Sequence, residues 1–165
     1  EQVSIHKRPS DADQHTGHFE ADTAKCQNGY LLVLTERRSL FNIIIKIPDK
    51  SAQSVLDALQ TIKDKHTMLS ITSDNGTEFA YHKNITKLLQ VPWYFADPNS
   101  PHQRGKNENQ IGIIRQYLTR KTDLKELSDQ QIKLIEQRVN HRPRKKHNFI
   151  SPIKFLLTNP VALAG

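Results

Sequence analysis

From His18 the chain alternates, with Phe19, Ala21 and Thr23 on one side and His18, Glu20, Asp22 and Ala24 on the other. This is the two-residue period of a strand, so Glu20 and Asp22 share a face. Asn28 and Gly29 mark a turn, Tyr30 to Thr35 is an apolar run, Glu36 to Ser39 is polar, and Leu40 to Ile47 is a second apolar run ending at Pro48. Three strands with tight connections predict an antiparallel meander. Ala52, Val55, Leu56, Leu59 and Ile62 then carry the stripe of an amphipathic crossover helix. A strand over 68–73, a helix from about 78 to 90 and a short aromatic strand over 91–96 follow. After the breaker cluster Asp97 to Pro101, a helix places Asn107, Ile111, Ile114 and Leu118 on its core stripe, which sets Glu108 one step off the buried seam. Ser128 with Gln131 has the form of a capping box and opens a helix carrying Ile132, Ile135 and Val139. Residues 1–17 show no period and read as an irregular lead-in.

The order βββαβαβαα predicts an α/β fold built on a mixed five-stranded sheet, three antiparallel strands then parallel strands, flanked by helices. At 165 residues the chain is expected to form one domain. The longest apolar runs, Tyr30 to Leu34 and Ile43 to Ile45, are too short for a membrane span. Lysine and arginine total 24 against 17 acidic residues, a net charge of +7 that points to a polyanionic partner, nucleic acid first. The single cysteine, Cys26, excludes an internal disulfide, and His15 and His18 lack a second pair at zinc-finger spacing.

The chemistry centres on Leu69 to Phe79. Leu69 and Ile71 alternate with small polar residues until Asp74-Asn75-Gly76 breaks the period. Asp74 thus ends a strand just before a helix, where open α/β sheets place ligands. An Asx turn accounts for the same segment equally well. Two further acids, Asp22 and Glu108, change the balance. If the first and fourth strands are neighbours, about 4.8 Å apart, Asp22 and Asp74 can share an ion. Carboxylates gathered so closely repel one another unless a divalent cation holds them, and oxygen-only donors favour Mg2+ or Mn2+. Two such ions would suit in-line phosphoryl displacement.

Thr16 to Asp22, Ser73-Asp-Asn-Gly76 and Asp97 to Asn109, the last containing His102-Gln-Arg-Gly-Lys-Asn-Glu108, resemble the core of Asp-Asp-Glu transposases and retroviral-type integrases. The likeness is strongest to the bacterial insertion sequence thirty family. The 33 residues between Asp74 and Glu108 match that group's spacing, and Asn140-His-Arg-Pro-Arg144 is similar to its downstream signature. The resemblance covers roughly Ser4 to Phe155. It implies a ribonuclease-H-like fold, Asp22, Asp74 and Glu108 as a catalytic metal triad, and Mg2+ or Mn2+, two ions, as cofactor. It also implies metal-dependent DNA cleavage and strand transfer, with double-stranded DNA as partner in a homodimer or higher assembly. A bacterial, nucleoid-associated cytoplasmic setting goes with it. His102, where relatives often carry an aromatic, and Phe19 and Ala21 beside Asp22 depart from the pattern without removing an acid. The family's upstream helix-turn-helix region is absent, so the chain reads as a single core domain.

Each assignment has a rival. Glu20 shares a face with Asp22 and competes with it and with Glu108 as ligand. Glu78 reads as a first-turn acid favoured by the helix dipole. Arg104, Lys106 and Arg115, clustered around Glu108, read as phosphate contacts. Arg142, Arg144, Lys145 and Lys146 are either further DNA contacts or an ordinary basic tail. Trp93, Tyr94 and Phe95 read as core aromatics. Two alternatives to the transposase reaction stand beside it: a catalytically idle DNA-binding or regulatory transposase remnant, and a structure-selective nuclease of the same fold.

Overall fold

The computed structural model describes residues 1–161. β1 (His18–Cys26), β2 (Gly29–Glu36) and β3 (Asn42–Ile47) form an antiparallel meander. β4 (Ser70–Ser73) and β5 (Trp93–Phe95) join it in parallel beyond β1, so the sheet order is β3-β2-β1-β4-β5. The connections decide this: two tight turns give antiparallel neighbours, and crossovers through α1 (Ala52–Thr61) and α2 (His82–Leu89) give parallel ones. Alternation along the strands supplies two cores. Phe19, Ala21, Leu32, Leu34, Ile43 and Ile71 meet Val55, Leu59, Phe79 and Ile85 on one face. Ala24, Leu31, Val33 and Ile44 meet Ile114, Leu118, Ile132 and Val139 on the other, beneath α3 (Gly105–Ile114) and α4 (Asp129–His141). None of the described helices is long and apolar enough to cross a membrane.

Four departures from the sequence pattern have local causes. β3 begins at Asn42 rather than Leu40, because Leu40 takes a left-handed φ of 64° and its N–H returns to the Glu36 carbonyl. The buried Glu36 carboxylate tightens that turn by accepting the N–H and hydroxyl of Ser39 and the N–H of Gly17. α2 starts at His82, preceded by a separate 3-10 turn over Thr77–Phe79. The lead-in is partly ordered: Ile5–Lys7 is a 3-10 turn, Ile5 and Ala12 are buried, and Phe95 donates its N–H to the Val3 carbonyl at 2.8 Å. Finally, α5 (Pro152–Thr158), capped by Ser151, packs against α4 without having been anticipated.

α4 covers the open edge of the sheet. Its Glu136 and Asn140, one turn apart, point at β3: Ile44 donates its N–H to Glu136 Oε2 at 2.9 Å, and Asn42 donates to Asn140 Oδ1 at 2.8 Å. The Asn140 amide returns a bond of 2.8 Å to the Asn42 carbonyl. Edge N–H groups that would otherwise template another strand are thus occupied.

Burial pushes the Glu136 carboxyl above its ordinary value of 4.5, with the Ile44 N–H and Lys133 pulling it back. A carboxyl raised in the folded state binds more protons folded than unfolded, so stability grows as pH falls through the raised value towards 4.5 and is lost as pH rises. Glu136→Gln keeps an acceptor for Ile44 and removes the titration. Its melting temperature should equal or exceed that of the wild type at about pH 7, and should gain less than the wild type between about pH 7 and pH 5. Thermal unfolding across that range checks this; equal gains in both proteins contradict it.

Candidate functional site

Glu20 lies opposite Thr72 in the parallel β1–β4 ladder. Asp22, two residues along β1, and Asp74, just past β4, therefore arrive at the same end of the sheet. Arg104, the residue before α3, forks between them: Nη1 donates to Asp22 Oδ2 at 3.1 Å and Nη2 to Asp74 Oδ2 at 3.3 Å. Their other oxygens accept backbone N–H groups, Asp22 Oδ1 from Thr23 at 2.8 Å and Asp74 Oδ1 from Gly76 at 2.9 Å. The Asx turn and the strand-end acid are thus one feature. Burial holds the Asp22 carboxyl above its usual range; Arg104 and the Thr23 N–H oppose that, and Asp74 adds to it.

Glu20 belongs to the interior. It is fully buried, its Oε1 takes the Arg37 guanidinium, and its Oε2 accepts the Asn107 N–H at 2.8 Å. Arg37 is shared with Asp13, 2.6 Å away. α3 has no side-chain cap of its own, so a carboxylate reaching over from β1 satisfies one of its free first-turn N–H groups. Asn107 completes the seam, its amide donating to Glu20 O and Val33 O. One residue further along α3, Glu108 is exposed.

A second cation faces the pair. Lys50 Nζ lies 3.1 Å from Glu78 Oε1, which also accepts the Thr23 hydroxyl. Burial works against the Lys50 charge, but Glu78, then Asp74 and Asp22, hold its pKa above the ordinary value. Glu78, expected as a first-turn acid, stands in the first turn of the Thr77–Phe79 3-10 helix and is buried there. Lys50 escaped sequence reasoning, because it is brought to the site only by the sheet and nothing in its neighbourhood along the chain marks it. Beside Asp74 an open groove of about 360 Å³ runs between Asn75-Gly76 and the Asp97–Pro101 loop.

The basic residues divide. The segment after α4 runs back along α3: Arg142 bonds Gln116 Oε1 at 2.6 Å and Arg144 reaches Gln110 Oε1 at 3.2 Å, while burial and the Lys106 charge hold the Lys146 ammonium below its ordinary pKa. Lys106 is also 3.4 Å from Asp13, and Lys145 is exposed. Arg144, expected on the DNA surface, is turned inward; it is buried and donates to the carbonyls of Val139 and Arg142. Arg115 packs against Cys26 Sγ and the Leu118 carbonyl, towards the far end of α3.

No family model matches the chain. It is 38% identical over 168 residues to the transposase InsI for insertion sequence element IS30A of Escherichia coli (strain K12), covering 96% of this chain and 43% of that protein. It is 38% identical over 169 residues to the transposase for IS1086 of Cupriavidus metallidurans, covering 96% and 50%, and 36% identical over 156 residues to the transposase for IS4351 of Bacteroides fragilis, covering 91% and 48%. This chain is an IS30-family transposase-like core. It spans about half the length, or less, of these relatives. The fold is that of the catalytic core domain of BIV integrase, whose crystal structure matches with a TM-score of 0.65 at 19% identity, over 86% of this chain and 93% of that one.

The chemistry expected of such a core is corrected by the geometry. Among the described residues no group of three or more His, Cys, Asp or Glu side chains is gathered so as to hold a metal ion. The expectations of bound Mg2+ or Mn2+ and of a divalent-metal-dependent polynucleotidyl transferase both fall with that finding. The physical reason is a cation already in place: Arg104 bridges Asp22 and Asp74, while the Glu108 side chain makes no ion pair or hydrogen bond among the described residues.

The two glutamates should separate in stability. Glu20→Ala leaves Arg37 with Asp13 as its remaining carboxylate and the Asn107 N–H without an acceptor in the interior, and should cost about 1–3 kcal/mol. Glu108→Gln, on an exposed face, should stay within about 0.5 kcal/mol of the wild type. Equilibrium denaturant unfolding measures both; similar losses in the two variants would contradict this account of α3.

Proposed function

We propose that this family core acts as a DNA-binding, regulatory transposase domain that is catalytically idle in the state described. The observation that carries this reading is the Arg104 fork. A guanidinium between Asp22 and Asp74 fills the space a cation would need, and with Lys50 on Glu78 it offsets two of the three negative charges that would repel a phosphate backbone there. What remains is a surface with net charge +7 over the chain and a basic ridge of Arg142, Lys145, Lys146 and Lys106 along α3. The Lys106 charge acts against that of Lys146, and a phosphate oxygen held by both would relieve the repulsion. The relatives are transposases for insertion sequence elements, which supports double-stranded DNA as the partner.

Binding to a duplex, followed by fluorescence anisotropy at graded salt, should be weak, insensitive to sequence, and steeply weakened by salt. Replacing Lys106, Lys145 and Lys146 by Gln should lower the salt slope by about 0.9 for each phosphate no longer neutralised. An unchanged slope moves the DNA path elsewhere. Mn2+ added to the free protein should leave its melting temperature unchanged. A saturable rise that Asp74→Asn abolishes would overturn the idle reading.

A further inference from the structure

The ridge ends in a strained aromatic tip. Asn148 and Phe149 follow one another in the left-handed region, at φ 52° and 66°. Asparagine tolerates that conformation, whereas for a phenylalanine it is an outlier that persists only where the surrounding structure enforces it. Here the frame is tight. Phe149 and His147 both donate their N–H to the Arg144 carbonyl, at 2.9 and 3.0 Å, and Arg144 and Ile150 pair as an antiparallel bridge. The base is anchored by buried Arg144 and by His147, whose ring stacks on Phe155 at 4.3 Å and whose Nε2 meets the Ser39 carbonyl at 3.1 Å. The strain brings no burial, since Phe149 is 70% exposed.

Solvent is a poor destination for a benzyl group held out at a conformational cost. Its exposed neighbours in the loop are Asn148 and Ile150 on either side and, a turn earlier, Lys145 and Lys146, the last of which feels the Lys106 charge. A purely apolar partner would have to strip water from these ammonium groups, whereas a nucleic acid offers phosphates to them and a π-face to the ring. We propose that the Lys145–Phe149 tip is a DNA contact in which the Phe149 ring stacks on an unpaired base while Lys145 and Lys146 take the flanking phosphates. This rests on the DNA-binding reading above and adds a preference to it, for DNA carrying unpaired bases over a fully paired duplex.

The test compares the chain with Phe149→Gly and Phe149→Tyr on two DNAs of equal length, a blunt duplex and the same duplex with a short unpaired stretch. Glycine accepts the left-handed backbone, so Phe149→Gly should fold and melt no lower than the wild type. The wild type and Phe149→Tyr should bind the unpaired-base DNA at least about five-fold more tightly than the duplex, and Phe149→Gly should bind both alike, within about two-fold of the wild type's duplex affinity. A preference that survives in Phe149→Gly, or is missing from the wild type while duplex binding persists, overturns the proposal and leaves the DNA-binding reading standing. A wild type that binds neither DNA overturns both. Sedimentation of the same proteins supplies the remaining arm: self-association lost in Phe149→Gly with DNA affinity unchanged assigns the tip to a second copy of the chain and overturns the proposal.

Discussion

A buried carboxylate must be paired, and the way Glu20 is paired organises this domain. Glu20 lies on the face of β1 that α3 covers, and its charge is met by Arg37 from the end of β2 and by the backbone of Asn107. One anion therefore ties the sheet, the β2–β3 turn and the start of α3 together. Positions elsewhere follow from that tie. Asp22 is two residues, about 6.6 Å, along the strand from Glu20, and Arg104 is three residues before Asn107. Docking α3 at Glu20 delivers the guanidinium to Asp22 and leaves Glu108 exposed.

The same need for partners governs the sheet edges. β3 is closed by two side chains of α4, Glu136 and Asn140, and β5 by backbone from the lead-in. Asn140 and Arg144, which stand in the stretch resembling the family's downstream signature, thereby have structural work. One makes paired bonds to Asn42, and the other donates to the carbonyls at the end of α4. The basic run after α4 is thus two populations, one engaged inside and one left for a partner. A helix C-terminus needs donors for its last carbonyls, and an arginine nearby supplies them.

Fold and chemistry separate in this core. The five-stranded sheet and its flanking helices match those of an integrase core, and two acids stand together at the end of the sheet. What the pair can do depends on the charge set between it, and that charge belongs to Arg104. A fold provides places, and side-chain identity and orientation at those places decide reactivity.

The amino-acid sequence by itself determined the elements and their order, because period-two and period-3.6 patterns report the faces that a core will bury. It made the meeting of Asp22 and Asp74 conditional on β1 and β4 being neighbours, and the sheet order β3-β2-β1-β4-β5 meets that condition. The 3-10 turn before α2, the left-handed Leu40 and helix α5 lay beyond it, being tied to distant residues through Glu78 to Thr23, Glu36 to Gly17 and His147 to Ser39. Only the tertiary structure decided which acids look inward. Glu20, Glu78 and Glu108 are alike as letters, and the first two are buried against cations while the third is exposed. The same holds for Arg104 and Arg144, both expected on the DNA surface, one of which bridges two carboxylates while the other is buried on carbonyls. The reason is that burial of a charge is settled by partners brought together from distant parts of the chain, whereas periodicity speaks only of neighbours.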